Sequence, residues 1–314
     1  MKNHFSHPLS FFLCPALLLA GAMSLHGADT VITSNTTWNG GTHDPDQDAV
    51  LLISHGSNDP TLMLLNSASA SWEGATVIGN RDGESGNLVI QSGSTVSNTG
   101  AWAELGLYDD INVERGTGYI GLNIGSTGAV SVEGTGSMWT NSGDLILGGS
   151  SLTNETTGEG ELAIEDGGIV SVAGTTRIHG GGTINLEGGG MLQTHDFNPT
   201  NGTFNWTGGT LELTGTYTGN LGVAQGATLT GGSTVSGNLS NAGVLSPGNS
   251  PGITVVLGDY SHESTATLNI EIGGLMVGDE RIIFQGASGA YVMVWPWNLP
   301  LLSWKDGKIV ATKP

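Results

Sequence analysis

Residues 145–172 read LILGGSSLTNETTGEGELAIEDGGIVSV, and two other stretches share their plan. Residues 77–97 read VIGNRDGESGNLVIQSGSTVS, and residues 120–134 read IGLNIGSTGAVSVEG. Each holds an apolar pair ending in Gly, then a polar Gly/Ser/Thr turn, then alternating apolar residues that run to a Val-Ser step. The Val-Ser steps begin at Val96, Val130 and Val170, 34 and 40 residues apart. An imperfect period of this kind implies loops of varied length on a constant scaffold.

Inside these units the apolar period is two. Leu88/Ile90, Ile120/Leu122/Ile124, Val130/Val132, Leu145/Leu147, Leu162/Ile164 and Val170/Val172 alternate with polar or small residues. The pattern continues at Ile184/Leu186, Phe204/Trp206, Leu211/Leu213 and Leu268/Ile270/Ile272. This is strand patterning with one buried face. No stretch after residue 30 carries a helical stripe with caps. The chain is therefore all-β. Strand-turn units recur at roughly one solenoid coil, with Val, Ile and Leu inward and Thr, Ser, Asn and Glu outward, which favours a parallel β-helix over a sandwich or propeller. At about 20–25 residues per coil the mature chain predicts ~12 coils, and a ~4.8 Å strand spacing predicts a rod of roughly 55 Å.

Charge narrows the partners. The 314 residues carry 8 Lys+Arg and 28 Asp+Glu, a formal net charge of −20, with 53 Gly and no collagen period. So acidic a chain does not bind nucleic acid by neutralising phosphates, and anionic membrane surfaces are poor partners for the same reason. Glu133, Glu155, Glu159, Glu161 and Asp166 fall in turns or outward positions, where they keep a β-rich rod soluble.

The N-terminus supplies an address. Lys2 precedes the apolar run LSFFLCPALLLA (9–20), and Ala20-Gly21-Ala22 fits a small-x-small cleavage site. Residues 1–27 read as a secretory signal peptide cleaved after Ala22, or after Gly27 or Ala28. The run is shorter than the ~20 residues of a membrane span. Cys14, the one cysteine, lies within it, so the mature chain has no thiol or disulfide chemistry. Residues 28–71 then form an N-terminal cap and first coils, 72–235 the repeat solenoid, 236–286 a terminal motif, and 287–314 a C-terminal cap or tail.

The segments GSMWTNSGDLILGG (136–149) and GEGELAIEDGGIVSVAGTT (158–176) resemble the repeat shared by autotransporter passengers and sorting-tagged exported bacterial proteins. NLSNAGVLSPGNSPGITVVLGDYSHESTATLNIEIGG (238–274) resembles the Ser-Pro-Gly-Asn-Ser-Pro-Gly passage that ends many such passengers, and residues 278–286 look like the family's next strand. The likeness spans about residues 72–286. It implies a right-handed parallel β-helix at the cell surface or beyond, and no single activity. No β-barrel translocator is recognisable after it. Tyr291 to Trp304 is apolar but short and holds Pro296 and Pro300. It reads as a hairpin cap turning at Asp306-Gly307, or as a docking patch for a membrane or partner built on Tyr291, Trp295, Trp297 and Trp304.

Candidate sites are sparse. Parallel β-helices also serve as polysaccharide hydrolases and lyases. Asp109, Asp110 and His179 form the nearest approach to a catalytic set, with Arg177 beside the histidine. Between residues 3 and 304 the only cations besides His are Arg81, Arg115, Arg177 and Arg281, few for stabilising a carbanion beside a uronate. Asp44, Asp46 and Asp48 have the alternation of a calcium loop but lack its Gly (Ala49) and its Glu (His55). His195 and Asp196 have no second His at zinc spacing. No phosphate-cradling loop ends in Lys-Ser/Thr, so no cofactor is expected. Trp38, Trp72, Trp102 and Trp139 lie beside Gly or Thr. Each would stack on a sugar if exposed, or fill a coil if buried.

These readings converge on an exported, non-enzymatic β-solenoid working by extension and adhesion to a glycan or protein polymer. The alternatives are a polysaccharide-active β-helix enzyme, and a truncated passenger without an independent role.

Overall fold

The computed structural model describes residues 30–311 apart from 44–49, 56–58, 102–103, 109–110, 151–157, 200, 249–252, 270–280, 287–288, 295–301 and 306–307. Within the described residues every regular element is a strand, and nearly all pairing is parallel. The fold is a parallel β-solenoid whose coils pass through three faces.

Face 1 opens each coil. It begins with Thr30–Ile32, Leu51–Ile53, Thr76–Ile78, Gly118–Ile120 and Leu145–Leu147, stacked in register. Face 2 follows with Thr36–Asn39, Thr61–Leu65, Ser85–Ile90, Thr127–Glu133, Glu159–Glu165, Gly182–Leu186 and Thr203–Trp206, a seven-stranded sheet. Face 3 closes the coil, starting with Thr42–His43, Ser69–Trp72, Thr95–Asn98 and Met138–Asn141. Ile169–Ile178 and Met191–Asn198 run from face 3 around the corner into face 1, so these two faces are one sheet. Coil length, read from register partners, varies from 16 residues (Thr228 to Val244) to 43 (Thr95 to Met138). The long coil contains an antiparallel hairpin, Glu104–Tyr108 with Ile111–Glu114. Such insertions reduce the coil number: ten coils cross face 3, and an eleventh rung, Arg281–Gly286, starts on face 1. Ten rises at ~4.8 Å give a rod of roughly 48 Å.

Apolar ladders fill the interior. On face 2 one ladder runs Leu62, Leu88, Val130, Leu162, Ile184 and Phe204. The next runs Trp38, Leu64, Ile90, Val132, Ile164, Leu186 and Trp206, aliphatic within and tryptophan at each end. Each fully buried aliphatic rung contributes about 1.5–3 kcal/mol. A parallel stack brings each side chain onto its equivalent one coil away, which is why the alternation recurs unit after unit.

The glycines of the repeat have steric causes. Gly86, Gly128, Gly160 and Gly182 form a buried column at the start of face 2. A Cβ on Gly160 would lie 2.3 Å from the Ile120 carbonyl oxygen of the preceding coil. That same oxygen accepts the Gly148 N–H at 2.8 Å, so it cannot retreat. Gly121, the glycine of the apolar-Gly step, has φ +68°, a conformation that costs a side-chain-bearing residue about 1 kcal/mol.

The corner between faces 3 and 1 is polar. Thr76 Oγ1 donates to Asn98 Oδ1 at 2.9 Å, and Asn98 Nδ2 donates to the Thr117 carbonyl at 3.2 Å. Thr176 Oγ1 donates to Thr194 Oγ1, which donates to the Asp196 carbonyl at 2.8 Å. All but the local Thr194–Asp196 bond join residues 18 to 22 positions apart in the chain, and together they satisfy buried groups that would otherwise oppose folding.

After Trp206 the rod changes. Face 2 restarts as a separate sheet of three short strands, Leu221–Val223, Leu239–Asn241 and Tyr260–His262. An aromatic plug lies at the change. Phe197 meets Phe204 edge-on at 4.8 Å and stacks on Tyr217 at 5.3 Å, while Phe204 stacks on Trp206 at 5.6 Å. Large rings fill the volume where the ladder of longer strands stops.

One expected inward set is wrong. Ile120 points into the core, but Leu122 joins a second cluster and Ile124 is 72% exposed. The strand ends at Ile120, and residues 121–126 form a turn, so period two does not extend through them. The second cluster, Val50, Leu52, Ala75, Val77, Val113, Tyr119, Leu122 and Ile146, lies on the outer side of face 1. Val113, from the inserted hairpin, packs there, and Tyr119 Oη accepts the Glu114 N–H at 3.1 Å.

The C-terminal backbone forms two antiparallel pairs, Arg281–Gly286 with Gly289–Val294 and Leu302–Lys305 with Lys308–Ala311. The segment 1–27, expected to be a signal peptide, lies outside the described residues.

Candidate ligand-facing surface

Among the described residues, those singled out in the sequence do not converge on one site. Trp72 and Trp139 are fully buried, and Trp72 Nε1 donates to the Ala75 carbonyl. Both sit inward on face 3, so neither offers its ring to a sugar. Trp38 is half-buried and packs on the top of the face-2 ladder. Trp102, Asp109, Asp110, Asp44, Asp46 and Asp48 lie outside the described residues, as do Trp295, Trp297 and the side chains of Tyr291 and Trp304.

His179 follows Ile178 at the corner from face 1 into face 2 and is buried. Burial, and then the nearby Arg177 charge, push its pKa below the ordinary 6.5, against an opposing hydrogen bond to the Ser150 main chain. It is a neutral corner histidine at neutral pH. Arg177 pairs with Asp144 at 3.5 Å. Asp144 Oδ1 also accepts the Thr175 N–H at 2.8 Å, and Asp196 Oδ1 accepts the Thr216 N–H at 2.6 Å. These carboxylates tie one coil to the next. Among the described residues no group of three or more His, Cys, Asp or Glu is placed to hold a metal ion. No helix there is long and apolar enough to cross a membrane.

The three outer surfaces differ. Face 1 is covered in its upper part by the second apolar cluster. Face 2 carries a chain of polar side chains: Asn205 Nδ2 donates to Asn185 Oδ1, and Asn185 Nδ2 to Glu161 Oε1. At its edge Glu133 and Glu165 stand in register. Partial burial, then the charges of Glu187, Asp166 and Glu133, hold the Glu165 carboxyl above its ordinary 4.5. Lower on face 2, Asn220, Gly222, Asn238, Ser240, Asp259 and Ser261 border a shallow groove of about 330 Å³. Asn220 Oδ1 accepts the Asn238 N–H, and Asn238 Oδ1 the Asp259 N–H, both at 2.8 Å. Beside it, Tyr260 Oη and His262 Nδ1 are hydrogen-bonded at 2.8 Å, and burial raises the Tyr260 pKa.

Face 3 is the long open surface. Its first outward column runs Ser69, Thr95, Met138, Ile169, Met191, Thr210, Thr228, Val244 and Thr267. Its second runs Ser71, Ser97, Thr140, Ser171, Gln193, Glu212, Thr230 and Ser246. Sequence reasoning sought tryptophans and missed these columns. Their signal was present, as the residues flanking each inward Val or Leu of the Val-Ser steps. No protein-family model and no curated protein matches the chain.

Proposed function

We propose that this chain is an exported, non-catalytic rod that holds a polymer-binding face away from its point of attachment. The observation that carries the reading is face 3, which continues in register through ten coils and lines up equivalent side chains along the axis. Contacts repeated on a rigid scaffold add up: each is weak, and their sum is not. The apolar ladders and coil-to-coil side-chain bonds supply the stiffness. The apolar run at 9–20 with its small-residue cleavage site supports export, and the passenger-like repeat supports a cell-surface or extracellular destination.

The test is fractionation of the native host with protease shaving of intact cells and sequencing of the chain termini, alongside adhesion of shaved and unshaved cells to matrix polymers. Mature chain on the outer surface, and adhesion lost with shaving, are the expected results. Chain found soluble in the periplasm, or adhesion indifferent to shaving, would overturn the reading.

A further inference from the structure

The middle of face 3 is amphipathic in a particular way. Met138, Ile169 and Met191 stand in register on successive coils. Thr140, Ser171 and Gln193 stand in register two residues further along the same strands. All six are partly buried, with part of each side chain at the surface. Alternate residues of a strand point the same way about 7 Å apart, and successive rungs lie ~4.8 Å apart. The result is two parallel lanes, one apolar and one hydrogen-bonding. Gln193 Nε2 donates to Glu212 Oε2 at 2.7 Å, which orients the amide at the lower end of the polar lane.

We propose that this two-lane strip binds an uncharged polysaccharide chain lying along the rod axis, an assignment that rests on the adhesive reading above. A pyranose ring has a C–H face and a rim of hydroxyls. The apolar lane meets the first, and the hydroxyl and amide groups of the polar lane pair with the second. Charge selects the class of polymer. Glu212 is the one Asp, Glu, Lys or Arg in the two outward columns of face 3, and the whole chain carries −20. Polyanions are repelled by that field and find no cation on this face. A polycation would be drawn to the glutamates of face 2. The other surfaces fit less well: face 1 is occupied by its own apolar cluster, and face 2 is interrupted after Trp206.

The purified mature chain is pelleted with an insoluble uncharged β-glucan, with a cross-linked polyuronate and bare beads as controls. The expected result is retention by the glucan at low and high salt alike. Ile169→Asp and Gln193→Ala each reduce retention roughly tenfold, the loss of about 1.4 kcal/mol, with the thermal midpoint unchanged. Glu165→Lys, on face 2, leaves retention intact. Retention by the polyuronate instead, no retention by the glucan, or retention untouched by both face-3 variants would overturn the strip. Host cells displaying Ile169→Asp separate the two readings. If they adhere to matrix polymers as wild type does, adhesion stands and the strip falls. If wild-type cells do not adhere at all, both fall.

Discussion

Above Trp206 and below it, the same chain builds the same solenoid by different means. Above, the face-2 strands Thr127–Glu133 and Glu159–Glu165 are seven residues long, and three inward positions per strand hold Gly, an aliphatic and an aliphatic. Below, Leu221–Val223 and Leu239–Asn241 are three residues long, and the coil turns on asparagine side chains bonded to the next coil's main chain. The upper coils are held by close backbone approach and a thick apolar ladder. The lower coils are narrower and lean more on polar corner bonds. Close backbone approach recurs in both, but above it falls at the start of the long face-2 strands, as at Gly160, and below at the coil corners, where a Cβ on Gly243 would lie 2.2 Å from the Ala224 carbonyl oxygen.

Four expected outcomes test that contrast. The largest effect belongs to Ile164→Asp, which removes an aliphatic rung with no exposed surface and places a charge between Val132 and Leu186. The cost is more than about 4 kcal/mol, read as loss of cooperative unfolding near 25 °C. Next come paired glycine substitutions on one face. Gly160→Ala drives a Cβ into the Ile120 carbonyl and costs about 1–3 kcal/mol. Gly222→Ala meets nothing within 4 Å and stabilises by about 0.4–1 kcal/mol. Equal thermal shifts for the two would erase the steric distinction between these two face-2 positions.

Asn238→Ala removes the acceptor of the Asp259 N–H and costs about 1 kcal/mol, measurable as a lower urea midpoint. Smallest is Glu165→Lys, within about 0.5 kcal/mol at neutral pH, because the side chain faces outward. Its signature is in the pH profile. A carboxyl with a raised folded-state pKa contributes stability below its unfolded value of 4.5, and that contribution is lost as pH rises through the folded value. Wild type loses this increment on going up through that range; the Lys variant does not.

Much of this was legible in sequence, for reasons that can be named. The pairs Leu88/Ile90, Val130/Val132 and Leu162/Ile164 alternate because a strand turns every second side chain to one side. They recur because a parallel stack lays each on its equivalent. Ile124 misled because a turn can continue an alternation in letters after the backbone has left the strand. Trp72 and Trp139 stayed open between surface and interior because a neighbouring Gly or Thr is equally compatible with both; the structure places them inside. The two outward lanes of face 3 went unread because they join residues of different coils, such as Ile169 and Met191. Only stacking brings those together.

The sequence by itself determined that this chain is all-β and that it coils, because period-two apolarity and repeated Gly turns admit no helical packing of these residues. It also determined a strongly acidic, cation-poor surface. The tertiary structure alone decided which glycine is indispensable and which is free: a Cβ on the inward-facing Gly160 meets the Ile120 carbonyl of the preceding coil, and one on the exposed Gly222 meets nothing within 4 Å. It decided as well where the rod narrows, at the ring stack of Phe197, Phe204, Trp206 and Tyr217. Packing against a neighbour is a property of two coils at once, and one-dimensional spacing carries it only where the repeat is regular.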